Sequence, residues 1–266
     1  MSIVQAIAMG ILQGLTEFLP VSSSGHLVIV PWLLGWPAAS LTFDTMVHWG
    51  TLVAVVIYFW QDIWFYVKAA LKSLRARSLQ VSGARVAWAI AIGTIPGAVA
   101  GALLEKQFEA LFHSPRAAAG FLVVTAVILV ASEVVGQRIR SLEHVTLTDG
   151  FLIGVGQALA ITPGISRSGT TIAAGLARGL TRESSARFSF LLGIPIIFGA
   201  GLLQLKDLLG TGPGVEPVPY LLLGFIAAAL SGFIAIHSLL RYLRTRSLYP
   251  FAIYCALFGT AVLLLT

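Results

Sequence analysis

The feature that most constrains this 266-residue chain is a series of long apolar runs, at about 3–36, 43–66, 84–104, 117–136, 150–180, 188–205, 219–240 and 249–265. A membrane-spanning helix takes roughly 20 apolar residues, so most of these runs are one span long. Only 11% of the residues are charged and 57% are hydrophobic, whereas a soluble domain carries about 25% charged residues. Too few charges remain to coat a water-facing surface, which excludes a soluble domain and a disordered tail. The chain reads as one all-α polytopic membrane domain over 1–266, with no room for a soluble catalytic domain. Its N-terminus lacks the basic stretch and cleavage site of a signal peptide and begins directly with a membrane segment. The single cysteine, Cys255, has no partner for an internal disulfide.

A net charge of +6 would suit nucleic acid, but the basic residues lie in connectors between apolar runs. That is how orientation is encoded in a membrane, and no nucleic-acid partner is expected. The connector 67–85 holds Lys68, Lys72, Arg75, Arg77 and Arg85 without an acid. In 105–116, Glu105 and Glu109 balance Lys106 and Arg116. Arg138 and Arg140 follow the next run, Arg182 and Arg187 precede 188–205, and Arg241, Arg244 and Arg246 precede the last. The linker 206–219 carries only Lys206, Asp207 and Glu216 among Gly and Pro.

The positive-inside rule places the strongly basic connectors in the cytoplasm. Two runs then fail to cross. The run 150–180 begins and ends at cytoplasmic clusters, and 1–36 must enter and return from outside. Both are broken by Pro, Gly and Ser, and irregular backbone at membrane depth survives only where protein buries it or it lines a wet cavity. The expectation is six transmembrane helices plus two re-entrant helical hairpins, with both termini outside. The hairpins also resemble each other: Gly10-Ile11-Leu12-Gln13 precedes Ser24-Gly25 as Gly154-Val155-Gly156-Gln157 precedes Ser168-Gly169. They enter from opposite sides, which makes an inverted-topology repeat, about 1–136 with hairpin 1–36 and about 148–266 with hairpin 150–180. Such repeats place a binding site near the midplane, at the tips of discontinuous helices.

Ionisable residues at membrane depth are costly and mark functional sites. Glu17 lies in the first hairpin, and Gln13 is one turn earlier on the same helix face. Pro20 ends that helix, and Ser22-Ser23-Ser24-Gly25-His26 forms the break. In the second hairpin Pro163 and Gly164 stop one helix, and Ser166, Arg167, Ser168, Gly169, Thr170 and Thr171 open the next. Helix N-termini bind anions, and arginine matches phosphate oxygens in a bidentate way. The two tips together offer a carboxylate, an imidazole, a guanidinium and many hydroxyls, an inventory suited to a phosphate ester or diphosphate. Blander readings stand beside this one. Glu17 and Arg167 would also make a structural salt bridge, His26 a packing histidine, and Ser and Gly ordinary helix-packing residues. Asp44, His48 and Asp62 fall near the ends of one run, where interfacial solvation accounts for them. Trp32, Trp36, Trp60 and Trp64 look like interface anchors.

Gln13-xxx-Glu17, the run Pro20 to His26, and Pro163-Gly-Ile-Ser-Arg-Ser-Gly-Thr-Thr171 resemble the undecaprenyl-diphosphate phosphatases of the bacitracin-resistance (BacA/UppP) family. The family signatures are an (E/Q)xxxE element, a histidine shortly after it, and PGxSRSxxT. All are present, the first in its Gln variant, so one carboxylate stands where others have two. The resemblance spans the whole chain in length and segment order. It implies hydrolysis of a C55 isoprenyl diphosphate to the monophosphate on the outer face of a bacterial inner membrane. Recycling of a lipid carrier for peptidoglycan and other cell-wall polymers, and bacitracin resistance, come with that activity. An interlocked inverted-repeat fold and a loosely bound divalent cation (Mg2+ or Ca2+), with Glu17 and Gln13 as its contacts, are implied as well. The partners expected are a polyprenyl diphosphate and membrane lipids, and the fold admits a homodimer.

Matched residue by residue, the catalytic positions of the family fall on Glu17, Ser23, His26 and Arg167. Substrate contacts are expected from Gln13, Ser22, Ser24, Gly25, Ser166, Ser168, Gly169 and Thr171. Phosphoryl transfer needs charge neutralisation and an in-line nucleophile. Ser23 or His26 would attack the terminal phosphorus, or His26 would activate water. The favoured reading has Ser23 attacking, with Glu17 and His26 as base and acid. The runner-up class is a transporter or flippase of a phosphorylated lipid, since carriers share inverted repeats with meeting hairpins. A lipid phosphate phosphatase of the PAP2 type is weaker, because its Ser-Arg motif is followed by a His and an Asp that 167–182 lacks.

Overall fold

The computed structural model describes residues 1–108, 111, 114–211 and 216–266. Among the described residues eleven α-helices follow in order: α1 Ile3–Phe18, α2 Ser23–Leu34, α3 Leu41–Tyr58, α4 Trp60–Ala76, α5 Ala84–Phe108, α6 Pro115–Val135, α7 Leu147–Leu159, α8 Arg167–Ala177, α9 Arg182–Thr211, α10 Val218–Leu243 and α11 Tyr249–Leu265. Among the described residues there is no strand, only an isolated bridge between Arg140 and Leu180. Helices α3, α5, α6, α9 and α10 are long and apolar enough to cross a membrane. At 17 residues, α11 sits at the lower edge of the ~17–25 residues that a span takes. The chain is thus an all-α polytopic membrane protein.

Glycine decides which helices meet. Without a strong hydrophobic drive between helices in lipid, small residues that let backbones approach supply the packing. A Cβ on Gly10 of α1 would lie 2.4 Å from the Gly224 carbonyl oxygen of α10, and one on Gly14 would lie 2.5 Å from that of Ala228. On α7, a Cβ at Gly150 would lie 2.3 Å from the Ala89 carbonyl oxygen of α5, and one at Gly154 would lie 2.2 Å from that of Gly93. Residue numbers rise together in both pairs, so α1 runs parallel to α10 and α7 runs parallel to α5. The first helix of each broken pair therefore docks on a long helix from the other half of the chain. Helix α3 packs on α9, and α6 on α11.

The basic connectors gather at one end of the bundle, tied by ion pairs. Arg187 at the start of α9 meets Asp62 at the start of α4 at 2.8 Å, and Arg244 at the end of α10 meets Glu183 at 3.0 Å. Buried Glu133, near the end of α6, takes Arg182 at 2.6 Å and the Leu248 backbone N–H at 2.7 Å. Asp149, in the first turn of α7, takes Arg140 at 2.6 Å and Arg178 at 2.7 Å. At this same end α5 begins: its Val86 and Ala89 share a buried cluster with Val145, Leu180 and Phe188, and Trp88 Nε1 donates to Ser73 Oγ of α4 at 2.9 Å. Helix α5 therefore starts where α10 ends, and α1 and α7 point in opposite directions.

Three boundaries differ from expectation. The run 43–66 is not one helix: α3 stops at Tyr58, and α4 starts at Trp60 after a turn at Phe59. Gln61 and Asp62 interrupt the apolar run there, and Asp62 is drawn to Arg187. Most of the basic connector 67–85 is consequently helical, forming the second half of α4. Helices α5 and α9 also run past their expected limits, to Phe108 and Thr211, which shortens the connectors 105–116 and 206–219. The side chains of Glu105, Lys106, Lys206 and Asp207, and all of Glu109, lie outside the described residues.

Candidate active site

Two breaks in helical backbone build the site. The first spans residues 19–22, where Pro20 has no N–H to continue α1. Ser22 holds a left-handed backbone at φ 69°, a conformation that non-glycine residues adopt at a cost and that clusters at functional sites. Its hydroxyl oxygen then accepts the Gly25 N–H at 3.3 Å, capping α2. The second break spans 160–166. Gly164 has φ 94°, and a Cβ there would lie 2.2 Å from the Ala118 carbonyl oxygen, so only glycine fits. Ser166 caps α8 by accepting the Gly169 N–H at 3.0 Å. Thr125 of α6 braces this break, donating to the Gly164 carbonyl at 3.0 Å and accepting the Ser166 N–H at 3.1 Å.

The two breaks touch. Ser168 Oγ donates to the Leu19 carbonyl at 3.1 Å, and the Gly164 N–H reaches Ser24 Oγ at 3.5 Å. Their contact brings together side chains 150 positions apart: Arg167 donates from a terminal guanidinium nitrogen to Glu17 Oε1 at 2.7 Å. The other oxygen of Glu17 accepts from Ser23 Oγ at 2.5 Å and from Gln13 Nε2 at 3.1 Å. Glu17 is 8% exposed. A carboxylate taken out of water needs its charge compensated, and here an arginine, a hydroxyl and an amide do so. Glu17, Ser22, Ser23, Ser24, Ser166 and Arg167 all line one cavity of about 190 Å³. That cavity distinguishes the Glu17–Arg167 pair from a structural salt bridge sealed in packing.

Other expected residues stand behind the cavity wall. Gln13 is buried beneath Glu17. Gly25 packs against Gly164, where even a Cβ would come within 3.1 Å of the Gly164 Cα. Gly169 carries the capping N–H, and Ser168 ties the breaks together. Thr171 Oγ bonds Ser189 Oγ at 2.6 Å and donates to the Arg167 carbonyl at 2.7 Å, fixing the first turn of α8.

His26 departs from the expectation that it faces the substrate. It is 2% exposed and absent from the cavity lining. Its Nδ1–H donates to the Ser22 carbonyl at 2.7 Å, and its Nε2 meets the Tyr254 hydroxyl of α11 at 2.7 Å. The ring stacks on Tyr254 and Phe258 with centroids 5.6 Å and 5.2 Å away. Both ring nitrogens are thus engaged away from Glu17, and the hydrogen bond back to Ser22 directs the ring that way.

One polar residue of the cavity stands outside the expected set. His48 of α3 lines the same cavity as Glu17 and Arg167. Its position one turn below Asp44 on one helix face, inside an apolar run, was the available signal.

Metal binding is tested by the donors present. The Gln13 Oε1 is buried without a hydrogen-bond partner, and the Glu17 carboxylate lies one turn above it. Among the described residues no group of three His, Cys, Asp or Glu side chains stands close enough to hold a metal ion. Of Gln13 and Glu17, only Glu17 lines the cavity, and Gln13 meets it through its amide N–H; this single carboxylate fits a cation of the Mg2+ type, which commonly uses one or two carboxylates and fills its remaining positions with waters and substrate phosphates.

The chain matches the family model described as bacitracin resistance protein BacA over residues 6–261. It is 45% identical over 262 residues to an undecaprenyl-diphosphatase of Moorella thermoacetica, covering 98% of this chain and 97% of that relative. Relatives of the same name from Pelotomaculum thermopropionicum and Geobacter sulfurreducens are each 44% identical over 265 residues. Those matches cover 100% and 99% of this chain, and 97% and 98% of the respective relatives.

Proposed function

The chain belongs to the bacitracin resistance protein BacA family, and we propose that it hydrolyses undecaprenyl diphosphate to undecaprenyl phosphate and inorganic phosphate, recycling the lipid carrier of cell-wall polymers. The observation that carries the mechanism is the unbroken line from Ser23 through Glu17 to Arg167 along one cavity. Ser23 already donates its proton toward Glu17 at 2.5 Å, so the carboxylate is placed as the general base. As Ser23 Oγ attacks the terminal phosphorus, its proton passes to Glu17. The bond between that phosphorus and the bridging oxygen breaks, and the electron pair leaves on the lipid monophosphate. Arg167 neutralises the phosphate oxygens, with Ser22, Ser24 and Ser166 as further donors. Water then attacks the phosphoserine; Oγ recovers the proton from Glu17, and dihydrogen phosphate leaves. A divalent cation held by Glu17, with Gln13 contributing if its amide turned to present Oε1, would supply additional neutralisation of the diphosphate.

Six membrane-spanning helices, α11 among them, and two re-entrant hairpins in an inverted repeat are the membrane arrangement this reading adopts. The antiparallel sense of α1 and α7, and their matching glycine contacts on α10 and α5, support it. The location is the bacterial inner membrane with the site open to the periplasm. Support comes from the cavity wall, which rises through His48 and Gln204 towards the end opposite the basic connectors. The same arrangement would serve a carrier, but a carrier breaks no phosphorus–oxygen bond. The test is phosphate release from a prenyl diphosphate in detergent micelles. The wild type is expected to release phosphate and Ser23→Ala to release none. Turnover by Ser23→Ala would remove the covalent mechanism, and no release by the wild type would favour the carrier.

A further inference from the structure

The second half of that reaction needs a water held in line with the phosphorus–Oγ bond, and none of the groups assigned so far is placed to hold it. Glu17 is committed to the proton of Ser23, Arg167 carries only donors, the Ser22, Ser24 and Ser166 oxygens already accept the backbone N–H groups of Gly25, Gly164 and Gly169, and His26 is turned away into α11. We propose that His48 orients the water that hydrolyses the phosphoserine; the inference rests on the Ser23 reading and deepens it.

The geometry of α3 supports this role. His48 Nδ1–H donates to the Asp44 carbonyl one turn earlier at 2.7 Å, which fixes both the ring and its tautomer. The other nitrogen, Nε2, is then a hydrogen-bond acceptor in the neutral ring, and it has no hydrogen-bond partner among the described residues. His48 lines the cavity with Ser23 and Glu17, yet forms no ion pair with Glu17 among the described residues. The cavity of about 190 Å³ has room for a phosphoryl group and a water, whose share of liquid volume is about 30 Å³. The titratable groups around the ring are Glu17 from α1, Arg167 from α8 and Asp44 on its own helix. None of the α9 residues lining the cavity is charged.

Accepting one hydrogen bond from the water turns a lone pair of the water oxygen towards phosphorus. The new oxygen–phosphorus bond forms as the phosphorus–Oγ bond breaks. Oγ takes the proton held by Glu17, and both water protons leave on dihydrogen phosphate. His48 needs only to accept, so glutamine, whose Oε1 also accepts, is the conservative replacement.

The experiment follows both products from farnesyl diphosphate in detergent micelles, with acid-quenched protein examined by mass spectrometry for phosphate on Ser23. For His48→Ala the expected result is a burst of prenyl monophosphate equal to the enzyme present, phosphoserine trapped at Ser23, and phosphate release slowed roughly 10²-fold, as for a misplaced reactant. The burst doubles as proof of folding. His48→Gln is expected to restore phosphate release to within several-fold of wild type. Wild-type phosphate release from His48→Ala, slowed release without trapped phosphoserine, or His48→Gln as slow as His48→Ala would each overturn the inference alone. Hydrolysis by Ser23→Ala would instead remove the reading beneath it, and the inference with it.

Discussion

Gly193, in the middle of α9, offers a sharp test of how the arginine is held. A Cβ built there would lie 2.1 Å from a terminal nitrogen of Arg167 and 2.8 Å from its central guanidinium carbon. Ordinary van der Waals contact begins near ~3.5 Å, so in Gly193→Ala the guanidinium must retreat by more than an ångström. It is the far end of a flexible side chain, so the backbone need not move. Alanine is also the better helix former by about 0.8–1 kcal/mol, which offsets only part of what the fold loses as the buried Arg167–Glu17 pair is strained, so a modest drop in unfolding temperature is expected beside the loss of turnover. The 2.7 Å bond to Glu17 stretches beyond the ~3.2 Å limit of a good N–H···O hydrogen bond. A hydrogen bond to a charged group contributes about 1.5–3 kcal/mol, which sets an expected fall in kcat/KM of roughly 10–150-fold. The assay is phosphate release from farnesyl diphosphate beside thermal unfolding in the same detergent. Gly199→Ala is the control, since a Cβ there meets nothing within 4 Å, and it should match wild type in turnover. Wild-type turnover by Gly193→Ala would refute the claim that the position of Arg167 limits the reaction.

Arg167→Lys keeps the charge but loses the planar fork, so turnover should fall nearly as far as in Arg167→Ala while the protein still folds; near-normal phosphate release would reduce Arg167 to a point charge. Gly154→Ala sets a Cβ 2.2 Å from a backbone oxygen of α5, which no side-chain motion relieves. Its unfolding temperature should drop in step with an overpacking cost of about 1–3 kcal/mol, whereas Gly101→Ala, with open space around it, should not drop. Reporter fusions after residue 266 and between 109 and 113 should read as periplasmic, and fusions at 72–78 as cytoplasmic; a cytoplasmic reading at 266 would overturn the proposed hairpins.

What could be read from the chain alone was whatever acts locally. Pro20 and the Pro163-Gly164 pair stop helices by their own covalent structure, so both breaks were visible as residues. Arginines at the run boundaries set an expected direction for each run through charge, and α1 and α7 do run in opposite senses in the bundle. The end of α3 was less visible. Val56, Ile57, Tyr58, Phe59 and Trp60 carry no helix-stop signal, and the turn at Phe59 is accompanied by a pairing of Asp62 with Arg187, 125 positions away. Gly193 carried no signal at all, because its reason is the guanidinium lying on it.

His26 shows the limit most clearly. Ser23 and His26 are three residues apart near the start of α2, and that spacing invites one catalytic face. At 3.6 residues per turn, positions three apart still differ by about 60° around the axis. Ser23 meets Glu17, and the remaining angle carries His26 towards α11. The bond from Nδ1–H to the Ser22 carbonyl then locks the ring between Tyr254 and Phe258. Because Ser22 is the residue held at φ 69°, that bond ties the strained residue to a buried ring wedged against another helix. Strain of this kind persists only where the surroundings over-determine it, and His26 is one of the groups that does so. An essential histidine at this position would therefore be accounted for by the shape of the break that presents Ser23 to Glu17, without the imidazole touching phosphate.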